Sequence, residues 1–206
     1  LNSGAAGGTI TFKDLLNGNQ TLGLTAGTGN IDFDGVVGGA AALGAVTVNS
    51  AGNVTADAAF SAASFRQVAG SGTTTFTGAL ATTAAAAVEV DGTNFDFNST
   101  VNLTLGSLDV DASGTVRFNG VVTTQAAAAG LVTITNGGVL TITAGGDMNL
   151  EGAFLQDGAG TISTAGDITT TNDAITFTDE VTLTGAVALN SGAAGGTITF
   201  KDLLNG

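Results

Sequence analysis

Proline, cysteine, histidine, tryptophan and tyrosine are all missing from this chain of 206 residues, and lysine and arginine together number only 4. Without cysteine there are no disulfides, no thiolate nucleophile and no thiolate metal ligands. Without histidine there is no imidazole base and no imidazole ligand. With so few cations, neither nucleic acid nor an anionic membrane surface finds the basic face it needs. No apolar run approaches the roughly 18 residues of a membrane-spanning helix, so no membrane insertion is expected. No basic stretch followed by an apolar segment precedes the first repeat, which puts any export signal outside these residues. The absence of proline suits a sheet in which every backbone N–H must donate.

What is present is 33 Gly, 11 Phe, 43% hydrophobic residues and a net charge of −13, with Ala, Thr, Val and Asn filling much of the rest. So apolar a chain does not stay disordered, yet Ala and Gly cannot fill a thick core. The composition therefore asks for a thin core repeated many times. The acidic surface makes cations its natural counterpart.

The segment LNSGAAGGTITFKDLLNG at residues 1–18 returns unchanged at 189–206, an offset of 188 residues. Read as a period, this makes 1–206 one continuous solenoid segment: one 188-residue repeat plus an 18-residue overlap, from a longer array. The two copies are then expected on the same rung of successive periods, with further copies joined end to end. Within the period a shorter phrase recurs, ending at Phe12, Phe33, Ala56, Phe76, Phe97 and Phe118, with spacings of 21, 23, 20, 21 and 21 residues. Weaker anchors fall near Leu140, Ile162 and Phe177, and Phe200 stands as the copy of Phe12.

Apolar and polar residues alternate with period two inside each unit, the pattern of strands with one buried face. Phe95 and Phe97 alternate with Asp96 and Asn98, and the pattern returns at Leu103 and Leu105 and at Leu108 and Val110. A unit of about 21 residues that cannot bury its own face must stack on its neighbours. The predicted fold is all-β: a parallel β-helix of about nine three-strand coils per 188-residue repeat, triangular in section. Ala40, Ala84 and Ala126 fall at one corner, where small side chains let coils approach. Gly29, Gly52, Gly72, Gly92 and Gly114 near the coil ends are expected to supply positive φ at bends.

Equivalent outward positions form columns. One runs Thr11, Asp32, Thr55, Thr75, Asp96, Arg117; the next runs Lys13, Asp34, Asp57, Thr77, Asn98, Asn119. Lys13 with Asp34, and Asp96 with Arg117, are expected as rung-to-rung ion pairs that fix register. Glu89, Asp91, Asp109 and Asp111 face outward on adjacent coils, and Ca²⁺, with six to eight oxygen ligands, is the candidate metal that would relieve their repulsion. Neither an EF-hand loop nor a glycine-rich calcium nonapeptide accompanies them. The Thr columns are broken by Asp, Arg, Asn and Lys, which argues against a flat threonine array for ice. Without a nucleophile–base pair or long loops to form a cleft, no enzymatic activity is expected. No organic cofactor is implied.

The phrases TTTFTGALATTAAAAVEVDGTNFDFNSTV and GGVLTITAGGDMNLEGAFLQDGAGTISTAGDITTTNDAITFTDEVTLTGAVAL resemble the filamentous-haemagglutinin-like β-strand-repeat proteins, giant bacterial surface polypeptides with tandem arrays. The resemblance covers essentially all of the chain. It implies an extracellular or cell-surface location and a structural repeat of a long fibre, or else an adhesin module binding a glycan or another cell-surface ligand.

Overall fold

The computed structural model describes residues 1–4, 6–85, 88–126 and 129–206. These form a parallel β-solenoid of about nine turns, with no helix among the described residues. Each turn contributes to three faces, with a strand on each except on face 2 of the first turn, where Leu16 makes a single bridge to Val37. Face 1 is a ten-stranded parallel sheet that starts at Ile10–Phe12 and ends at Leu204–Asn205. Faces 2 and 3 are continuous with each other, because Leu43–Ser50 and Phe60–Gln67 are eight-residue strands running round the corner between them. Phe60 and Ala62 pair with Leu80 and Thr82 on face 2, while Phe65 and Gln67 pair with Val88 and Val90 on face 3. The expectation of three short strands in every unit therefore fails in these two turns. In the second of them only Ala63 and Ser64 separate Ala62 on face 2 from Phe65 on face 3, too few residues to form a turn, so the strand passes the corner without a break.

Face 1 carries the expected aromatic column. Phe12, Phe33, Ala56, Phe76, Phe97, Phe118 and Ile142 occupy one register position. Phe97 and Phe118 stack with centroids 4.9 Å apart and planes 4° from parallel. Phe33, Phe76, Phe97 and Phe118 are buried; Phe12, in the first turn, is half-buried. Where Ala56 interrupts the column, the missing volume comes from other faces. Phe60 packs edge-on against both Phe33 and Phe76, at 5.3 and 5.7 Å, and Phe65 packs edge-on against Phe76 at 5.2 Å.

Phe177 and Phe200 depart from the expected column. They pair with each other on face 3, in register with Gln156, and their rings stack at 5.2 Å. The face-1 positions in these turns belong to Val181–Leu183 and Leu204–Asn205. The physical reason is that all three faces fill one shared core, so a ring serves whichever face the adjoining turn allows. It follows that residues 1–18 and 189–206 are not on equivalent rungs. Ile10–Phe12 lies on face 1 and Ile198–Phe200 on face 3.

The glycines also act differently from expectation. None of Gly29, Gly52, Gly72, Gly92 and Gly114 has positive φ. A Cβ at Gly52 would lie 2.7 Å from the carbonyl oxygen of Thr28, and one at Gly29 would lie 2.5 Å from that of Gly8. Glycine is required there because the coil below is too close for a side chain. Ala84 and Ala126 lie at the corner between faces 2 and 3, where the Ala84 N–H donates to the carbonyl of Ala63 at 2.8 Å, but Ala40 does not join them: it loops out between Val37 and Leu43, which pair with Phe60 and Ala62 on face 2. Positions 86, 87, 127 and 128 of the alanine runs lie outside the described residues.

Three buried amides, Gln67, Asn136 and Gln156, close the corner from face 3 to face 1. Gln67 accepts from the Thr74 hydroxyl at 2.7 Å and donates to the Asp91 carbonyl at 3.2 Å. Gln156 donates to Asn136 Oδ1 at 2.9 Å and accepts from the Thr178 N–H at 3.0 Å. Each satisfies groups that a turn would otherwise leave buried and unpaired.

Because Phe97 is fully buried between two stacked rings, Phe97→Ala should cost about 3–5 kcal/mol. Urea unfolding followed by circular dichroism measures this, and a loss under about 1 kcal/mol would show that the column does not carry the core.

Candidate functional site

Strand alternation puts every second side chain outside, and parallel stacking lines these up about 4.8 Å apart. Surface chemistry is therefore organised in columns. On face 1 the expected column Thr11, Asp32, Thr55, Thr75, Asp96, Arg117 is present in full. The Lys13 ammonium meets Asp34 Oδ2 at 2.6 Å, as expected. Asp34 holds the Lys13 pKa above its ordinary value, first by the hydrogen bond and then by its charge. Asp32 is pushed up by burial and by the charges of Asp34 and Asp57, with Lys13 opposing.

Asp96 and Arg117 are in register, but they do not form the expected ion pair. The Arg117 guanidinium instead donates along its own strand to Asn119 Oδ1 at 2.9 Å, and Asn119 donates across the rung to Asn98 at 2.6 Å. An exposed pair gains too little to outweigh a neutral acceptor already in place.

The four acidic residues come together on face 3 as the sequence suggests. Asp109 faces Glu89 and Asp111 faces Asp91 on adjacent rungs. Arg66, one rung further from Asp109, faces Glu89 and reaches it at 3.2 Å. Sequence reasoning missed this pair because Arg66 lies in the strand that rounds the corner, so its face could not be read from a turn signal. Of the four carboxylates, only Glu89 is thus paired with the guanidinium. Burial first, then Asp111 and Glu89, push the Asp91 carboxyl up, with Arg66 opposing. Burial, then Glu89, Asp91 and Asp111, push Asp109 up. Both side chains point outward, but the short axial spacing crowds them and removes part of their water. Among the described residues, no three Asp or Glu side chains converge as a metal-binding group.

Face 2 carries a neutral column that sequence reasoning did not single out: Ala81, Asn102, Thr123, Asn149, Thr169 and Asn190. Beside it, Thr123, Gln125, Asn149, Glu151 and Thr171 line an open groove of about 250 Å³. Gln125 donates to Asn102 Oδ1 at 2.9 Å, which holds one wall in place. Hydroxyl and amide groups at such spacing can hydrogen-bond a polar, uncharged ligand. The signal lay in the alternation of Thr and Asn through VTTQ, MNLE and ITTT, legible only once the face-2 register is known. Three N-glycosylation motifs have their Asn side chains engaged in the stack: Asn53 with Asn30 and Thr73, Asn98 with Asn119, and Asn102 with Gln125.

No protein-family model, no curated protein and no solved structure matches this chain. No helix among the described residues is long and apolar enough to cross a membrane.

The raised carboxyls of Asp91, Asp109 and Asp32 fix the sign of the pH dependence. A carboxyl whose folded pKa exceeds its unfolded value binds its proton more tightly in the folded chain. Its stabilising contribution is complete below the unfolded pKa and is lost as pH rises through the folded one. The melting temperature should therefore rise on acidification from pH 7 towards about 4, the ordinary carboxylate range. Asp109→Asn should raise the melting temperature at pH 7 by roughly 1–3 °C and shrink the rise on acidification. Thermal melts at low salt check both, and a lower melting temperature for D109N at pH 7 would contradict the repulsion.

Proposed function

We propose that the chain is a structural repeat of a long extracellular fibre or cell-surface filament, without catalytic activity, in which copies of the repeat follow one another along one polypeptide. The observation that carries this reading is that both copies of the eighteen-residue segment enter the same stack as ordinary turns. Leu189–Asn190, Ile198–Phe200 and Leu204–Asn205 each pair in parallel with the turn before them, as Ile10–Phe12 pairs with the turn after it. A solenoid extended in this way gains length at constant cross-section, because each added coil contacts only its neighbours. The resemblance to filamentous-haemagglutinin-like repeat proteins supports the same reading. So does the net charge of −13, which keeps fibres apart laterally.

A second reading, an adhesin module for a glycan or another cell-surface ligand, is favoured by the neutral Thr and Asn column and its groove on face 2. In that case the fibre would be both spacer and ligand-bearing surface.

Three measurements test these readings. Fibres taken from the native source should run on a denaturing gel far above the 19.8 kDa of this chain, and oriented fibres should diffract along their axis at about 4.8 Å. A single band near the mass of one copy would overturn the covalent array. For the second reading, glycan-array binding by the 206-residue chain should be weakened by Asn149→Ala or Thr169→Ala; the absence of any glycan signal would remove it.

A further inference from the structure

We infer that the 188-residue offset advances the solenoid by eight and two-thirds turns, so that consecutive copies of the repeat are displayed rotated by a third of a turn about the fibre axis. The inference rests on the tandem-array reading above. Its basis is the placement of one sequence at two positions in one stack. Counting along face 1, eight turns separate Ile10–Phe12 from Val181–Leu183, and Ile198–Phe200 comes two faces later, on face 3.

The shift is the same for every piece of the segment. Asn2 bridges Thr25 on face 3, whereas its counterpart Asn190 pairs with Thr169 on face 2. Phe12 pairs with Phe33 on face 1, and Phe200 pairs with Phe177 on face 3. Leu16 bridges Val37 on face 2, whereas Leu204 pairs with Val181 on face 1. Each strand has moved back by one face, and none has slipped within its face.

The local conformation survives the move. The Gly4 N–H donates to Asn2 Oδ1 at 2.8 Å, and the Gly192 N–H donates to Asn190 Oδ1 at 3.0 Å. The Ser3 hydroxyl donates to the Gly8 carbonyl, as the Ser191 hydroxyl does to that of Gly196. Gly4 and Gly7 have φ of 94° and 93°, and their counterparts Gly192 and Gly195 have 79° and 114°. Even the ring contact is kept: Phe12 stacks on Phe33 at 5.0 Å and Phe200 on Phe177 at 5.2 Å. The segment is a preformed turn that any of the three faces accepts, since each offers two inward positions around one outward one.

The consequence is a three-sided display. The Glu89, Asp91, Asp109 and Asp111 stripe on face 3 of one copy lies in line with face 2 in the next and with face 1 in the third. It regains its direction after three copies, which is twenty-six turns or about 125 Å. An extended partner laid along one side of the fibre meets this stripe, or the face-2 groove, once in that distance and not once per copy.

Cysteine pairs on outward positions test the phase in the 206-residue chain, which has no cysteine of its own. Thr176 and Thr199 are register partners, whereas Thr182 faces Asn205. Register partners about 4.8 Å apart lie within disulfide reach. Thr176→Cys with Thr199→Cys should oxidise fully, with loss of both free thiols, and Thr182→Cys with Thr199→Cys should keep both. If nine whole turns separated the copies, Thr199 would lie over Thr182 and the pattern would reverse; that reversal, or free thiols in both variants, overturns the rotation. The fibre-mass measurement is independent of this result: a natural chain of one copy removes the array, whatever the disulfides show.

Discussion

The constraint on which everything else depends is the axial ladder of backbone hydrogen bonds. Each turn both donates to and accepts from the turn on either side of it, at a spacing of about 4.8 Å: the Ile31 N–H donates forward to the Asn53 carbonyl and the Asp34 N–H donates back to that of Phe12. Side chains with no room at that spacing are excluded from the corners, which is why glycine stands where a Cβ would strike the carbonyl of the turn below. The same spacing turns alternation along a strand into columns along the axis. Like charges in a column then face each other at short range, and the Asp91 and Asp109 carboxyls are raised first by burial and then by these neighbouring charges.

The parts of this architecture that could be read from sequence are those marked once per turn on a single face. The Phe12 to Phe118 phrase gave face 1 its register to the residue, including the outward columns beside it. From Phe118 onward reading by ring failed. Phe177 and Phe200 look like members of the same series, but a phenyl ring carries volume and no address. Only the turn Thr178–Glu180, which leads to Val181, decides that Phe177 belongs to face 3. Arg66 was illegible for a related reason, since its strand passes a corner without a break. The acidic group was legible because Glu89, Asp91, Asp109 and Asp111 sit in adjacent strands that each have clear alternation.

The three faces carry different surface chemistry over an interior that is shared. Face 1 combines the Lys13–Asp34 ion pair with an amide ladder, face 3 concentrates negative charge beside Arg66, and face 2 is mostly neutral hydroxyl and amide. Inward positions make no such distinction. Val, Leu, Ile and Phe alternate freely among the faces, with the buried amides of Gln67, Asn136 and Gln156 at one corner. Surface and interior are thus decoupled: outward residues can change face by face while the inward ones answer only to the volume of the slice.

Ala56 shows what that means for how such a chain can change. Along its own column the residue is a defect, a methyl group between the rings of Phe33 and Phe76. Across its own slice it is compensated, since Phe60 and Phe65 bring two rings into the space it leaves. The conserved quantity is therefore the area filled in each cross-section, and substitutions should be correlated round the circumference of a turn more strongly than along the axis. An aromatic residue can migrate from face to face over successive duplications, so turns that share no aligned residue can still be descendants of one ancestor.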